Sequence, residues 1–285
     1  MGKLYVVATP IGNMGDISPR AIETLKAVDI ILAEDTRTTS GLCKPLGIQK
    51  QLVSLHKFNE RERQEFVINE IVEKGKNIAL VSDAGTPCIS DPGSILVAFA
   101  HKAGVEVVAV PGCSSVIAAL SMTGFDLKEF AYLGFLPRTP KDFGIVVERI
   151  RELNCPVVLF ESPMRILKSL EKLATEFESA EVCICNDITK KFEKNYVGKI
   201  DAVQKELQNN ENATKGEYVV VMQPNIEKAK AMESELSLEG YLVDEVIKSG
   251  CTIKDAVVFV AERLNIGKND VYKASLNLKE IIRKI

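Results

Sequence analysis

The stretch LVSDAGTPCISDPG, residues 80–93, is the most informative segment of this chain for predicting its architecture. It starts as an apolar strand and then runs through Asp, Gly, Thr, Pro and Ser before the sequence becomes helical again. A connection between a strand and a helix ordinarily needs about 2–6 residues. This connection is longer, and its prolines stiffen the backbone. The pattern therefore indicates a segment that is shaped to hold a ligand.

The first half of the chain alternates between strand-like and helical segments. Strands are predicted at residues 3–8, 30–33, 77–81 and 105–110. Ser18 and Pro19 are typical of a helix start, and Asp91 is expected to cap the helix that follows residue 92. This alternation predicts the α/β class, with a mostly parallel sheet covered by helices on both faces.

Each predicted strand of this half ends in a run of turn-forming and polar residues. The four runs are ATPIGN (8–13), AEDTRTTS (33–40), SDAGTPCISDPG (82–93) and VPGCSS (110–115). In an open α/β sheet, ligands bind outside the carboxyl ends of the strands, so the four runs together predict a cleft. The chain has no G-x-x-x-x-G-K-[ST] loop, and no G-x-G-x-x-G follows the first strand. A ligand without phosphates, zwitterionic and partly apolar, is therefore favoured.

The composition limits the class of protein. A net charge of −3 excludes a protein that is basic over its whole surface, although a local basic patch for RNA is compatible with it. No run of about 20 apolar residues is present, so we expect no membrane-spanning helix. The chain enters a strand at once rather than through a signal peptide, so we expect a cytoplasmic protein.

The cysteines and histidines offer little to a metal ion. Seven cysteines lie at irregular spacing beside two histidines, so no metal site is expected. Cys183 and Cys185 lie two residues apart in a predicted strand and therefore share a face. We expect both to be small buried hydrophobic residues.

The sequence pattern changes near residues 120–140, where the strand-like stretch FAYLGFLP (130–137) is followed by a polar segment that contains proline. We therefore place a domain boundary near Gly124. Three segments are predicted: an N-terminal α/β domain (1–123), a second α/β domain with some antiparallel pairing (124–225), and a small C-terminal helical unit (226–285). Residues 227–237 are expected to form a helical connector. The C-terminal unit is similar to a helix–turn–helix and is either a three-helix cap or a nucleic-acid contact.

The motifs resemble those of a known family. ATPIGN, EDTR, SDAGTPCISDPG, VPGCS and FESPMR together resemble the tetrapyrrole-methylase superfamily, and within it the ribosomal RNA small subunit methyltransferase I group. The resemblance covers about residues 3–224 and extends into the C-terminal helices. The superfamily typically has a GDP-type triplet where this chain has Gly85-Thr86-Pro87, which favours the RNA enzyme.

The resemblance implies both architecture and activity. It implies two α/β domains with S-adenosylmethionine in the cleft between them, usually in a homodimer. It implies methyl transfer to the ribose 2′-oxygen of a cytidine in 16S rRNA of the small ribosomal subunit. The alternative is a porphyrinoid C-methyltransferase with the same fold and cofactor.

The candidate cofactor site combines residues from the strand ends with two from the second domain. Gly85 and Gly112 allow close backbone approach, and Ser114 and Ser115 suit a carboxylate. The full set of expected cofactor-binding residues is Pro10, Gly12, Asp83, Gly85, Thr86, Pro87, Ile89, Ser90, Pro111, Gly112, Ser114, Ser115, Phe160 and Glu161.

The candidate catalytic residues are Glu34, Asp35 and Arg37. Adjacent residues of a strand point to opposite sides, so only one of the two carboxylates faces the cleft easily. That carboxylate would accept the proton of a ribose hydroxyl, and Arg37 would contact an RNA phosphate. The other interpretation is a solvated loop with a local ion pair.

Overall fold

The computed structural model describes residues 1–225, 237–264 and 266–284, and the chain divides into two compact units, Met1–Ile226 and Glu227–Ile285. Over these described residues, the first unit contains two five-stranded sheets, and the second contains three helices. The connector expected at residues 227–237 lies outside the described residues except for Ser237, which caps the helix that follows.

The first sheet is entirely parallel, with strand order β3-β2-β4-β1-β5. Its strands are β1 (Lys3–Val7), β2 (Ile30–Ala33), β3 (Gln51–Ser54), β4 (Ile78–Val81) and β5 (Glu106–Val110). The four predicted strands are confirmed. The edge strand β3 was missed because none of its four residues is fully buried and they form no apolar run.

Helices cover both faces of this sheet, as predicted. They are α1 (Pro19–Ala27), α2 (Thr36–Cys43), α3 (Glu60–Val72) and α4 (Ser94–Lys102), whereas α5 (Ser115–Ser121), which follows β5, packs against the second sheet. Alternate strand residues point to opposite faces, so Leu32 packs in the core with α3 and α4, and Ile31 packs in the core with α1. The side chain of Ser18 caps α1 by accepting a hydrogen bond from the Ala21 amide at 3.1 Å.

The start of α4 differs from the prediction, because Asp91 is not its cap. Glu60 of α3 fills that role through the tertiary fold: its Oε1 accepts hydrogen bonds from the amides of Gly93, Ile95 and Leu96 at 3.1, 2.8 and 3.0 Å. The Glu60 side chain is buried, and its negative charge faces the positive end of the helix dipole. A carboxylate 33 residues before Gly93 in the chain therefore fixes the end of the 80–93 segment.

Replacing Glu60 with Ala is expected to lower the free energy of unfolding by about 2 kcal/mol, because three buried amides lose their acceptor. Glu60→Gln should cost less, since its amide oxygen still accepts. Urea denaturation measures both, with the exposed Glu62→Ala as a control expected to change stability by less than about 0.5 kcal/mol. An Ala variant as stable as the control would contradict this capping role.

The second sheet is mixed, with order β6-β7-β10-β8-β9. Its elements are β6 (Ala131–Phe135), α6 (Pro140–Leu153), β7 (Val157–Glu161), α7 (Ile166–Glu176), β8 (Glu181–Asn186), β9 (Lys194–Lys199), α8 (Ile200–Gln208) and β10 (Tyr218–Gln223). Strand β6 pairs parallel with β7, and the other pairs are antiparallel. The predicted antiparallel pairing is confirmed.

Strand direction decides which end of β10 lies near the end of β7. Strand β10 runs antiparallel to β7, so Tyr218, at the start of β10, lies opposite Glu161 at the end of β7. The carbonyl of Ser162 accepts hydrogen bonds from the Arg165 and Ile166 amides, and α7 begins at Ile166.

Helix α5 links the two sheets. It follows the last strand of the first sheet, yet its Val116, Ala119 and Leu120 pack against Cys185 and Val219 of the second sheet. Its first residues therefore lie where the sheets approach each other. Cys183 and Cys185 are fully buried on this face with sulfur atoms 3.8 Å apart, which confirms their expected role as small core residues.

The C-terminal unit consists of α9 (Leu238–Ser249), α10 (Ile253–Leu264) and α11 (Lys268–Lys284). The helices pack around an apolar core that includes Leu242, Val260 and Val271. Gly250 ends α9 with a left-handed φ of 65°, which favours glycine. Within the described residues, no helix is both long and apolar enough to cross a membrane.

Candidate functional site

A cleft of about 430 Å³ is bordered by loops of both sheets. The first sheet contributes the segment after β4 and the start of α5, and the second sheet contributes the end of β7 and the start of β10. The lining residues are Ile11, Asp83, Ala84, Gly85, Thr86, Ile89, Ser90, Asp91, Ser114, Ser115, Val116, Phe135, Phe160, Glu161, Ser162, Pro163, Ile188, Glu217, Tyr218 and Val219.

The structure places nine of the fourteen expected cofactor-binding residues at this cleft: Asp83, Gly85, Thr86, Ile89, Ser90, Ser114, Ser115, Phe160 and Glu161. Pro10 and Gly12 line a second cavity of about 310 Å³, which shares Ile11, Asp83, Ala84 and Glu217 with the first. Pro87, Pro111 and Gly112 line neither cavity, nor do Glu34, Asp35 and Arg37.

The segment after β4 is tied to the neighbouring strand ends. Gly85 has a φ of +80°, a conformation that favours glycine, and exchanges two hydrogen bonds with Thr9 at 2.9 and 3.0 Å. The hydroxyl of Thr86 donates to the carbonyl of Cys113 at 3.0 Å. The segment thus forms a shelf held between the ends of β1 and β5.

Farther along the shelf, Cys88 and Ser90 have left-handed φ values of 72° and 66°. Such values are costly for residues other than glycine and often mark functional sites. The Ser90 hydroxyl is 2.5 Å from the Tyr132 hydroxyl on β6. Ser90 therefore joins the shelf to the second sheet.

Gly12 and Gly112 lie where another part of the chain approaches so closely that an added side chain would meet it. A Cβ added to Gly112 would lie 3.0 Å from the Cβ of Ala8. A Cβ added to Gly12 would lie 2.8 Å from the Oγ1 of Thr189 and 3.1 Å from the carbonyl oxygen of Ile188. Gly12 thus allows the loop after β1 to approach the loop between β8 and β9.

Glu161 holds the second-sheet border of the cleft together. Its side chain is fully buried and accepts hydrogen bonds from the Ser162 amide at 2.7 Å, the Arg165 guanidinium at 2.9 Å and the Ser169 hydroxyl at 2.5 Å. Arg165 also donates to the carbonyl of Leu136 at 2.6 Å. The network connects β7, α7 and the segment after β6.

One end of the cleft is acidic. Burial and, to a smaller extent, the negative charge of Glu34 raise the pKa of Asp91 to about 6. Burial also raises the pKa of Glu34, with a contribution from the charge of Asp83. Lys57 opposes both shifts. A carboxyl group with a pKa near neutrality can exchange a proton at physiological pH.

The two adjacent carboxylates diverge, as expected. Glu34 interacts with the acidic end of the cleft, whereas Asp35 caps α2 by accepting from the Arg37 amide at 2.8 Å. The Arg37 side chain pairs with Asp35 at 2.6 Å, and this hydrogen bonding lowers the pKa of Asp35 to about 2. The local ion pair anticipated as the other interpretation is present, and it leaves Asp35 a weak base.

Several lining residues were not predicted from the sequence, for different reasons. Ile11, Ala84, Ser162 and Pro163 lie inside the motifs but were not assigned to the cofactor, and Asp91 was assigned to helix capping. Glu217 precedes β10, and Tyr218 and Val219 are its first residues; no motif marks them, and only the antiparallel direction of β10 brings them to the cleft. Phe135, Ile188 and Val116 read as ordinary apolar residues.

The described part of the chain contains no cluster of three or more His, Cys, Asp or Glu side chains arranged to hold a metal ion. The polar groups of the cleft are hydroxyls, carboxylates and backbone amides beside apolar and aromatic walls. That combination suits an organic ligand with an apolar body and charged ends.

Solved structures of low sequence identity share the fold. A diphthine synthase matches with a TM-score of 0.59 and 18% identity, covering 77% of this chain and 89% of that one. A uroporphyrin-III-C-methyltransferase from Thermus thermophilus matches with a TM-score of 0.52 and 18% identity, covering 79% and 96% of the two chains. At this identity the matches show the fold alone.

Sequence comparisons are more specific. The family model for Tetrapyrrole (Corrin/Porphyrin) Methylases matches residues 3–204. A protein of Escherichia coli O157:H7 named ribosomal RNA small subunit methyltransferase I is 38% identical over 276 residues, covering 96% of this chain and 95% of the relative. A protein of the same name from Xylella fastidiosa is 42% identical over 223 residues, covering 78% and 81%. The chain therefore belongs to the tetrapyrrole (corrin/porphyrin) methylase family, within its group of ribosomal RNA small subunit methyltransferases I.

Proposed function

We propose that the protein is an S-adenosylmethionine-dependent methyltransferase that modifies the ribose 2′-oxygen of a cytidine in 16S rRNA of the small ribosomal subunit. The observation that supports this proposal most strongly is a cleft with a shelf, apolar walls and one acidic end, in a chain 38% identical to a small-subunit rRNA methyltransferase. The porphyrinoid alternative is less supported: the family model covers both kinds of enzyme, and the solved uroporphyrin-III-C-methyltransferase is only 18% identical.

The cleft residues fit S-adenosylmethionine chemically. Phe160, Val219 and Ile188 provide apolar surface for the adenine and the hydrocarbon chain, while Ser114 and Ser115 offer hydroxyls to the carboxylate. Gly85 and Thr86 form the shelf beneath. When bound, the cofactor supplies an activated methyl group.

The protein's own contribution is to orient the substrate and accept a proton. Holding reacting groups in line can lower the barrier by as much as about 7–11 kcal/mol. A ribose hydroxyl must lose its proton as it is methylated, and Asp91 lines the cleft with a pKa near neutrality. We assign Asp91 as the proton acceptor, Glu34 as the neighbour that raises the Asp91 pKa, and Arg37 as an exposed contact for an RNA phosphate.

The remaining expectations complete the proposal. We propose a homodimer that works in the cytoplasm, where ribosomal subunits are assembled, with a domain boundary near Gly124 and the C-terminal helices as an added unit. We propose that all fourteen expected residues bind the cofactor or support its site. Pro10 and Gly12 line the adjoining cavity. Pro87, Pro111 and Gly112 line neither cavity and would support the shelf.

Incubation with methyl-labelled S-adenosylmethionine and 30S particles that lack the modification tests the function. The label should appear on one cytidine of 16S rRNA, in an alkali-resistant linkage typical of a 2′-O-methyl group. Label on a base carbon or nitrogen, or no label on any small-subunit particle or RNA, would rule the proposal out.

Glu34→Gln is expected to shift the acidic limb of the pH–rate profile to lower pH, because a negative charge that raises the pKa of Asp91 is removed. Asp35→Asn should leave that limb in place, since Asp35 is already paired with Arg37. Single-turnover rates between pH 5 and 8 measure both. An unshifted limb in Glu34→Gln would contradict the proposed coupling.

A further inference from the structure

Phe58 projects into solvent from the segment that follows β3. Its side chain is 95% exposed, whereas phenylalanine is usually buried in folded proteins. Isolated exposed apolar residues are common. Phe58 differs from such isolated residues because several hydrogen bonds hold the backbone of the segment that carries it.

Hydrogen bonds fix the backbone of this segment before and after Phe58. The Asn59 side chain accepts from the His56 amide at 2.8 Å and donates to the Ser54 carbonyl at 3.2 Å. The amides of Asn59 and Glu60 both donate to the His56 carbonyl at 3.0 Å. The ring of Phe58 lies edge-on to that of His56, with centroids 6.0 Å apart. Because the backbone on either side of the ring is already fixed, only the side-chain torsions of Phe58 remain to be ordered when a flat partner stacks on it.

The segment lies near the acidic end of the cleft. It follows β3, whose carboxyl end is at the same edge of the parallel sheet as those of β2 and β4. Lys57 lies close enough to Glu34 and Asp91 for its positive charge to act on both. That charge lowers their pKa values, whereas burial and the like charges of neighbouring carboxylates raise them. Phe58 therefore follows directly after a lysine whose charge acts on Asp91 of the cleft and on its neighbour Glu34.

The second sheet presents a similar pair. Phe192, in the loop between β8 and β9, is 72% exposed, and the Lys191 Nζ lies 5.4 Å from the centre of its ring. The same loop contributes Ile188 to the cleft and Lys190 to the adjoining cavity. Each sheet thus carries an exposed phenylalanine beside a lysine near the border of the cleft.

We propose that Phe58 and Phe192 are stacking positions for two unpaired bases of the RNA substrate, with Lys57 and Lys191 near the phosphates. The inference rests on the proposed function and adds how the substrate is held. Single-stranded RNA is recognised by stacking its splayed bases on aromatic rings within a basic environment. Bases within a regular duplex are already stacked on each other, so these positions select an unpaired segment.

Phe58→Ala is expected to lower kcat/KM for unmodified 30S particles by about 5- to 150-fold, the range for loss of one base stacked on an aromatic ring. The Kd for S-adenosylmethionine, measured by calorimetry, should change by less than about twofold. Phe58→Tyr should keep activity because it keeps the ring, while Phe58→Leu should behave like Phe58→Ala. Phe192→Ala should give a loss in the same range.

Phe66→Ala is the matched control, because Phe66 is an exposed phenylalanine of α3 outside this segment. Full activity in Phe58→Ala, or in Phe58→Leu, would overturn the stacking role. Loss of the dimer in Phe58→Ala, measured by light scattering, would instead assign Phe58 to contact with a second copy and also overturn it. If the wild-type protein methylates no small-subunit particle, the proposed function itself fails, which separates the two ideas.

Discussion

Replacing Asp91 with Asn is expected to slow methyl transfer about 10²- to 10³-fold, because the side chain can no longer accept a proton. The same change is expected to stabilise the protein at pH 7.5. Burial and the charge of Glu34 disfavour the ionised form of Asp91 in the folded state. The substitution removes that unfavourable charge and keeps nearly the same shape.

The pH dependence follows from the direction of the shift. The pKa of Asp91 is about 6 in the folded protein and 3.8 as the reference value, so between these values the folded state binds more protons than the unfolded state. Stability contributed by this group therefore falls as the pH rises through that window. After allowance for partial exposure, Asp91→Asn should gain about 1–2 kcal/mol at pH 7.5 and almost nothing at pH 4.

Urea denaturation at both pH values and single-turnover methylation of 30S particles measure the two effects. Asp35→Asn is the matched control, since Asp35 is ion-paired and its pKa is lowered to about 2. That control should show no stabilisation at pH 7.5. A fully active Asp91→Asn variant would remove Asp91 from the role of proton acceptor, whatever its stability.

Glu161→Ala is expected to cost about 3 kcal/mol of unfolding free energy. The substitution removes a fully buried carboxylate and leaves the Arg165 guanidinium, only 27% exposed, without its partner. The Ser162 amide and Ser169 hydroxyl also lose their acceptor. Because Phe160 and Ser162 line the cleft on either side of Glu161, affinity for S-adenosylmethionine should fall as well.

Chemical denaturation and calorimetric titration with the cofactor test this expectation. Glu161→Gln should be less harmful, since its amide oxygen still accepts one or two of these hydrogen bonds. Glu176→Ala removes an exposed ion pair with Arg151 and should change stability by less than about 0.5 kcal/mol. Equal stability losses in Glu161→Ala and Glu176→Ala would show that the buried network contributes little.

The first sheet was predictable because its signals are local. Apolar strands such as residues 30–33 are buried on both faces, and the runs after them gather at one edge because all the strands are parallel. The edge strand β3 gave no such signal. The shelf was predictable from its unusual content of glycine and proline.

The side-chain assignments that failed depend on partners distant in sequence. Asp91 has the sequence context of a helix cap, but Glu60 occupies that position from another helix and leaves Asp91 to the cleft. Tyr218 reaches the cleft only because β10 runs against β7, a direction that its own residues do not encode. Local patterns predict where a strand ends more readily than which carboxylate meets which helix.

The missing side chain at Gly12 has a practical consequence. A methyl group there would sit 2.6 Å from the Cγ of Lys190 and 2.8 Å from the Thr189 hydroxyl oxygen, so both side chains would have to move. Glycine at this position therefore sets how closely the loop after β1 approaches the loop between β8 and β9, and any larger residue would disturb the cavity that both loops line.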